Sequence, residues 1–268
     1  TYGKIFFTEQ FGSINFKSNT FYRNYDADKH TTFFNNDIVW NPNTFITKNG
    51  FVNSFQHMVK NTNYEAKNTG DYKTNGTVSE LNGVVSFKSS LPLQKKKLNY
   101  TNIFSPTFMV RYSPGHMRNL HKNDLTLNYN NLYNLNKTSE LESGLSSIFG
   151  FEFKTNKKGK DGVNRDKLAM SMGQVFNTKE NRDMPSNSSL DQKTSDLVGE
   201  INYNFSEIGK IGYKFALDHN FNDLNYNELS TTLNFNKIAF NLDYLEEQNH
   251  IGDENYVAAG VSLNFNDE

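Results

Sequence analysis

The sequence predicts an all-β fold, an antiparallel meander of the kind that closes into an outer-membrane β-barrel. Three observations carry that expectation. Segments with an apolar residue at every second position recur along the chain, as half-buried strands require. The connections between them alternate between short and long, as in membrane barrels with tight turns on one side and extended loops on the other. The composition is hydrophilic yet aromatic: mean hydropathy is -0.72, 35% of the 268 residues are hydrophobic, and 14% are aromatic, with 23 Phe and 14 Tyr. A chain rich in Phe, Tyr, Asn and Thr favours strands and turns over helices.

The first 120 residues read as strands in "GSINFKSNTFYRNY", "TTFFNNDIVW", "GFVNSFQHMV", "VVSFKSSLPL" and "FSPTFMVRYSP", with turn signals at Asn49-Gly50 and Asn75-Gly76. Region 119–138 has weak periodicity and fits a loop or an irregular strand pair. Alternation returns in 144–154 (Leu145, Ser147, Phe149, Phe151, Phe153) and in 167–177. It is clearest in the last third. In 197–205, Leu197, Gly199, Ile201, Tyr203 and Phe205 share one face, and Val198, Glu200, Asn202 and Asn204 the other. The same division holds in 211–218, where Gly212, Lys214, Ala216 and Asp218 form the polar side. It holds again in 229–235, in 238–245, where Asp243 is on the polar side, and in 257–265. About a dozen strands result.

The turns after Phe205 ("SEIGK") and Phe235 ("NK") are short; "DHNFNDLNYN", "EEQNHIGDEN" and "TKENRDMPSNSSLDQKT" are longer. "KTNKKGKDGVNRD" reads as a long connection where a short one is due, and breaks the rule. Phe205, Tyr213, Phe235, Phe240 and Phe265 lie on the apolar face, toward the short-turn ends, where an aromatic belt at the membrane interface is expected. Glu200, Lys214, Asp218 and Asp243 would then line a hydrated lumen; in a soluble sandwich they would be outer-face residues. A wall between lipid and water needs only ~9–11 residues per strand. Half of these are polar, so a membrane protein can be hydrophilic on average.

Other function classes find little support. Net charge is -1 and there is no cysteine, so nothing points to nucleic acid, and disulfides and thiolate metal sites are excluded within the span. No stretch approaches the ~18 apolar residues of a membrane helix. GxGxxG, P-loop, GxSxG and HExxH motifs are absent, so neither catalysis nor a cofactor is expected. The six histidines (His30, His57, His116, His121, His219, His250) are scattered. Glu246-Glu247 suits a solvated rim. Lys95-Lys96-Lys97 and "NKKGKDG" suit solvated turns or contact with anionic headgroups. Ser195-Asp196 lacks a placed base. Both ends fall in strand patterns, so the span is expected to be one partial barrel domain, 1–268, cut at both ends.

Several stretches in order resemble LptD, the lipopolysaccharide-assembly family also called organic solvent tolerance protein. They are "SSLPLQKK" (89–96), "FSPTFMVRYSPGHMRN" (104–119), "NLYNLNKTSELESGLSSIFGFEF" (131–153), "MSMGQVF" (170–176), "SSLDQKTSDLVGEINYNF" (188–205) and "YKFALDHNFNDLNYNELSTTLNF" (213–235). The resemblance implies an unusually large barrel in the cell outer membrane that inserts lipopolysaccharide into the outer leaflet. It also implies a lumen plugged by the lipoprotein LptE, and periplasmic Lpt bridge proteins as further partners. The family's jellyroll-like domain, its cysteines and its closing strands are not found here. The alternatives from other classes are a generic porin or receptor barrel, a soluble β-sandwich binding module, and a barrel-bound hydrolase.

Overall fold

The computed structural model describes residues 1–268 apart from 27, 70–75, 123, 139–140, 160–162, 207, 236, 249–252 and 264–268. Asn75, His250 and Phe265 therefore lie outside the described residues. The chain forms one antiparallel sheet of fifteen strands. In order they are β1 (Tyr2–Thr8), β2 (Gly12–Asp26), β3 (Lys29–Asn41), β4 (Phe45–Ile46), β5 (Val52–Lys67), β6 (Thr77–Ser90), β7 (Leu93–Lys96) and β8 (Tyr100–Ser113). They continue with β9 (Gly144–Lys158), β10 (Asn164–Asn177), β11 (Leu197–Ser206), β12 (Gly209–Leu217), β13 (Leu224–Phe235), β14 (Ile238–Glu247) and β15 (Glu254–Leu263). The path is a pure meander, each strand beside its chain neighbour. The short β4 and β7 pair only with β5 and β8, and β1 and β15 form the two open edges.

Cross-strand register fixes what each face carries, because directly paired residues in an antiparallel sheet point the same way. One line runs Phe153, Met170, Ile201, Tyr213, Leu229, Tyr244, Val257. The adjacent line, on the other face, runs Glu152, Ser171, Glu200, Lys214, Glu228, Leu245. The first face leaves large apolar side chains such as Phe149, Leu242 and Val261 exposed, at 52%, 46% and 62%. An apolar surface of this breadth is far larger than a soluble monomer presents, and suits contact with hydrocarbon. In β2–β6 the apolar face gives way upward to a hydrogen-bonded polar line. Ser18 Oγ donates to Asn36 Oδ1 at 2.8 Å, and Asn63 Nδ2 donates to Asn61 Oδ1 at 2.6 Å. These strands have 13–16 residues, more than the ~9–11 a crossing needs.

From β8 onward the connections alternate as the sequence suggests, whereas only two residues join β2 to β3 on the long-loop side and ten join β3 to β5 on the short-turn side. Strand pairing continues through Lys158↔Asn164, so "KTNKKGKDGVNRD" is mostly strand, and only five residues separate β9 from β10 on the short-turn side. The long connections, 114–143 and 178–196, are on the other side. Region 119–138 is loop rather than a strand pair. It holds one helical turn, α1 (Tyr129–Leu132), closed by a reciprocal cap: Asn131 N donates to Asn128 Oδ1, and Asn128 N to Asn131 Oδ1.

Both long connections fold onto the polar face. Leu120, Leu127 and Leu132 from the first, and Met184 and Leu190 from the second, bury against Met109, Ile148, Val175, Val198 and Ala216 of the wall. Leu135 and Leu141 do the same against Val84 of β6. Gly150 and Gly173, paired across β9 and β10, leave the gap that α1 fills. A Cβ at Gly173 would come within 2.5 Å of Leu132 Cδ2, and one at Gly150 within 2.5 Å of the Tyr133 hydroxyl. The principal core of the molecule is thus inside the concavity, between wall and loops. Val198 and Ala216, read as members of a hydrated face, are instead dry.

Candidate functional site on the concave face

Below the loop-covered region the concave face is polar. Its centre is the ladder where Glu200 of β11, Lys214 of β12 and Glu228 of β13 stand side by side. Lys214 Nζ lies 2.9 and 3.1 Å from the two Glu228 oxygens, and Tyr226 donates to the same carboxylate at 2.5 Å. Glu200 accepts from Asn202 Nδ2 at 2.6 Å. Toward β9, Lys154 Nζ lies 3.3 Å from Glu152, whose other oxygen accepts from the Tyr129 hydroxyl at 3.4 Å. Lys88 sits 4.8 Å over the Tyr133 ring. Burial raises the pKa of both the Tyr129 and Tyr133 phenols, so they remain neutral donors. The face offers alternating carboxylate, ammonium, amide and hydroxyl groups: a surface that can exchange hydrogen bonds with polyhydroxylated matter without fixing it in one pose.

The residues expected from sequence fall into two groups. Glu200 and Lys214 come together as register neighbours. Asp243 is on the same face one row nearer the short turns, opposite Ser230, and is exposed. Asp218 leaves the row: β12 ends at Leu217, and Asp218 opens the following turn, its Oδ1 2.7 Å from His219 Nδ1. Glu228 was missed because β13 starts at Leu224, five residues earlier than its outward alternation indicates. Tyr226 is aromatic on the opposite parity from Leu229 because it packs against the inner core, and a register shift beyond it pairs Leu224 with Leu217 of the outer face.

Of the aromatics, Phe205 and Phe235 close their strands at the short turns, and Phe240 stands opposite Leu233 near the same end. Phe235 and Phe240 meet edge to face at 6.2 Å. Tyr213 is the middle residue of β12, not its end, and stacks on Phe215 at 5.9 Å. Ser195 is consumed structurally: its hydroxyl donates to Asp196 O at 2.8 Å and accepts from Val175 N at 3.0 Å.

The sequence reading also missed Arg111. It points inward from β8 at 2% exposure, with Nε donating to Leu135 O at 2.5 Å and Nη2 to Glu142 O at 2.6 Å. The available signal was a charged residue inside an apolar strand, just before the Pro114-Gly115 stop. Arg118 holds the near end of the same loop, 3.1 Å from Glu80 Oε2 and over the rings of Tyr64 and Phe33 at 5.0 and 5.6 Å.

A wall apolar outside and polar inside, crossed from within by its own loops, is common to several barrel families. The family model for LptD, LPS transport system D, matches residues 4–266. The chain belongs to the LptD family. Membership covers nearly the whole described sheet, from β1 to β15, and places the chain in lipopolysaccharide transport and assembly at the outer membrane. No curated protein matches this LptD-family sequence.

Proposed function

We propose that this chain is wall of an outer-membrane barrel that carries lipopolysaccharide and inserts it into the outer leaflet. The polar concave face meets the saccharide and the apolar convex face meets the acyl region of the bilayer. The observation that carries the reading is the division of the two faces along the paired rows through Ile201 and Glu200 in β9–β14, in a chain of the LptD family. Glu200, Lys214 and Asp243 serve as lumen groups that slide hydrogen bonds along a sugar chain. Phe205, Phe235 and Phe240 sit at the bilayer interface on the short-turn side, with Tyr213 nearer the middle of the membrane. The short-turn half of the concave surface of β13–β15, beyond Tyr226 and Glu247, is the ground for LptE, and the periplasmic Lpt bridge proteins deliver substrate from the short-turn side.

Site-specific photo-crosslinking in cells tests this. A photoreactive residue at Asp243 or Ser230 captures lipopolysaccharide, and one at Leu242 or Val257 captures none of its saccharide. Absence of lipopolysaccharide adducts at both inner positions, with normal surface lipopolysaccharide after depletion, would refute the reading in favour of a passive channel.

A further inference from the structure

Where β8, β9 and β10 meet the two long loops there is a cavity of about 360 Å³, within the ~300–1,000 Å³ range of small-ligand sites. Exposed Pro114, Lys179 and Glu180 form its rim, so it is reached from the long-loop side. Deeper in, its lining holds two buried cations, Arg111 and Lys137, and one buried carboxylate, Glu142.

Glu142 does not balance both. Its Oε1 already accepts the backbone N–H groups of Lys137 and Thr138. Its Oε2 lies 3.9 Å from Lys137 Nζ, beyond hydrogen-bond length, although the Lys137 side chain is only 1% exposed. The guanidinium of Arg111 is bonded through Nε and Nη2. Among the described residues neither Arg111 Nη1 nor Lys137 Nζ has a hydrogen-bond acceptor. Ser146 is buried in the same lining. A buried cation without its counter-charge is among the costliest arrangements in a folded protein. Burial pushes the Lys137 ammonium below the usual lysine range.

We propose that this cavity is an oxyanion site that takes a phosphate group, held by Arg111 Nη1, Lys137 Nζ and the Ser146 hydroxyl. Three donors from different strands and loops suit a tetrahedral anion better than a planar one, and charge-assisted bonds to phosphate are the strong kind. The group arrives either as free inorganic phosphate or as a phosphoryl substituent on a saccharide headgroup. The site stands on its own residues and does not depend on the transport reading.

The test is calorimetric titration of the full chain in detergent with inorganic phosphate, against chloride at equal ionic strength. A lipid-free phosphorylated saccharide, and the same saccharide after dephosphorylation, are titrated in parallel. Phosphate binds saturably to the wild type. Lys137→Met weakens it roughly ten- to a hundredfold, as expected for loss of one charged hydrogen bond, and Lys137→Arg restores most of it. Competition between phosphorylated saccharide and phosphate identifies the headgroup source; binding of free phosphate alone identifies the ion. Ser146→Ala, a smaller change, weakens binding severalfold and serves if Lys137→Met fails to fold. No saturable phosphate binding to the wild type, or equal binding by folded Lys137→Met, overturns the proposal.

Discussion

Leu132→Ala isolates the docking of the 114–143 loop from the stability of the sheet. Leu132 is fully buried, and its Cδ2 occupies the space that any Cβ at Gly173 would need. Truncation removes about three carbon groups, worth roughly 2.4 kcal/mol at ~0.8 kcal/mol each. It adds a cavity term, because the glycine pair beneath has no side chain to collapse into the gap, which puts the loss near ~3 kcal/mol. The loop opens more readily by roughly a hundredfold, at ~1.4 kcal/mol per decade. Native-state hydrogen exchange reads this directly. The amides of Leu120, bonded to Asp183 O at 2.7 Å, and Asn134, bonded to Asn131 O at 3.1 Å, are the reporters. They exchange about a hundredfold faster, whereas amides at the centres of β9 and β10 are unchanged. Equal acceleration in loop and strand amides would refute separate docking, and no acceleration in either would refute the packing argument.

Gly150→Ala places a methyl group against the Tyr133 hydroxyl and the backbone of β10, and costs about 1–3 kcal/mol as overpacking does, measured as faster proteolysis of the 114–143 loop. Lys214→Met combined with Glu228→Gln in a double-mutant cycle gives a coupling under ~1 kcal/mol in urea unfolding, since the pair is partly exposed at 41% and 26%. Asp191 Oδ1 is buried without a partner, and burial raises its pKa above 3.8. Its folded form holds the proton more tightly, so the 178–196 loop loses stability as pH rises from 3.8 through the raised value. Hydrogen exchange of that loop followed across this window shows the loss in the wild type and not in Asp191→Asn.

Much of the fold was legible because the strands obey one periodicity. Ile201, Tyr213 and Leu229 sit on one side and Glu200, Lys214 and Asp243 on the other, as alternation alone requires. What escaped has a common physical origin. Alternation marks a polar face only where that face is wet, and the upper concave face is dry under two loops. There Val198, Ala216 and Tyr226 add apolar residues to the inner parity, blurring the start of β13 and hiding Glu228. The loops themselves, with Leu120, Leu125, Leu127, Leu132 and Leu135 at irregular spacing, bury apolar groups without regular secondary structure, and period-based reading has no template for that. The lysine-rich turn 154–166 was misjudged because charged residues flanking a hairpin look like loop even when the backbone pairs to Lys158. Asp218 was assigned to a row it leaves by one residue.

The 114–143 loop is fastened at two distant points of the wall, by Arg118 on Glu80, Tyr64 and Phe33 and by Leu132 and its neighbours beside Val198 and Ala216. It acts as a chord drawn across an arc. The bend of the strands between β3 and β12 is therefore held from within, whatever happens at either margin of the sheet. Flattening or widening that arc requires the chord to let go at one end first.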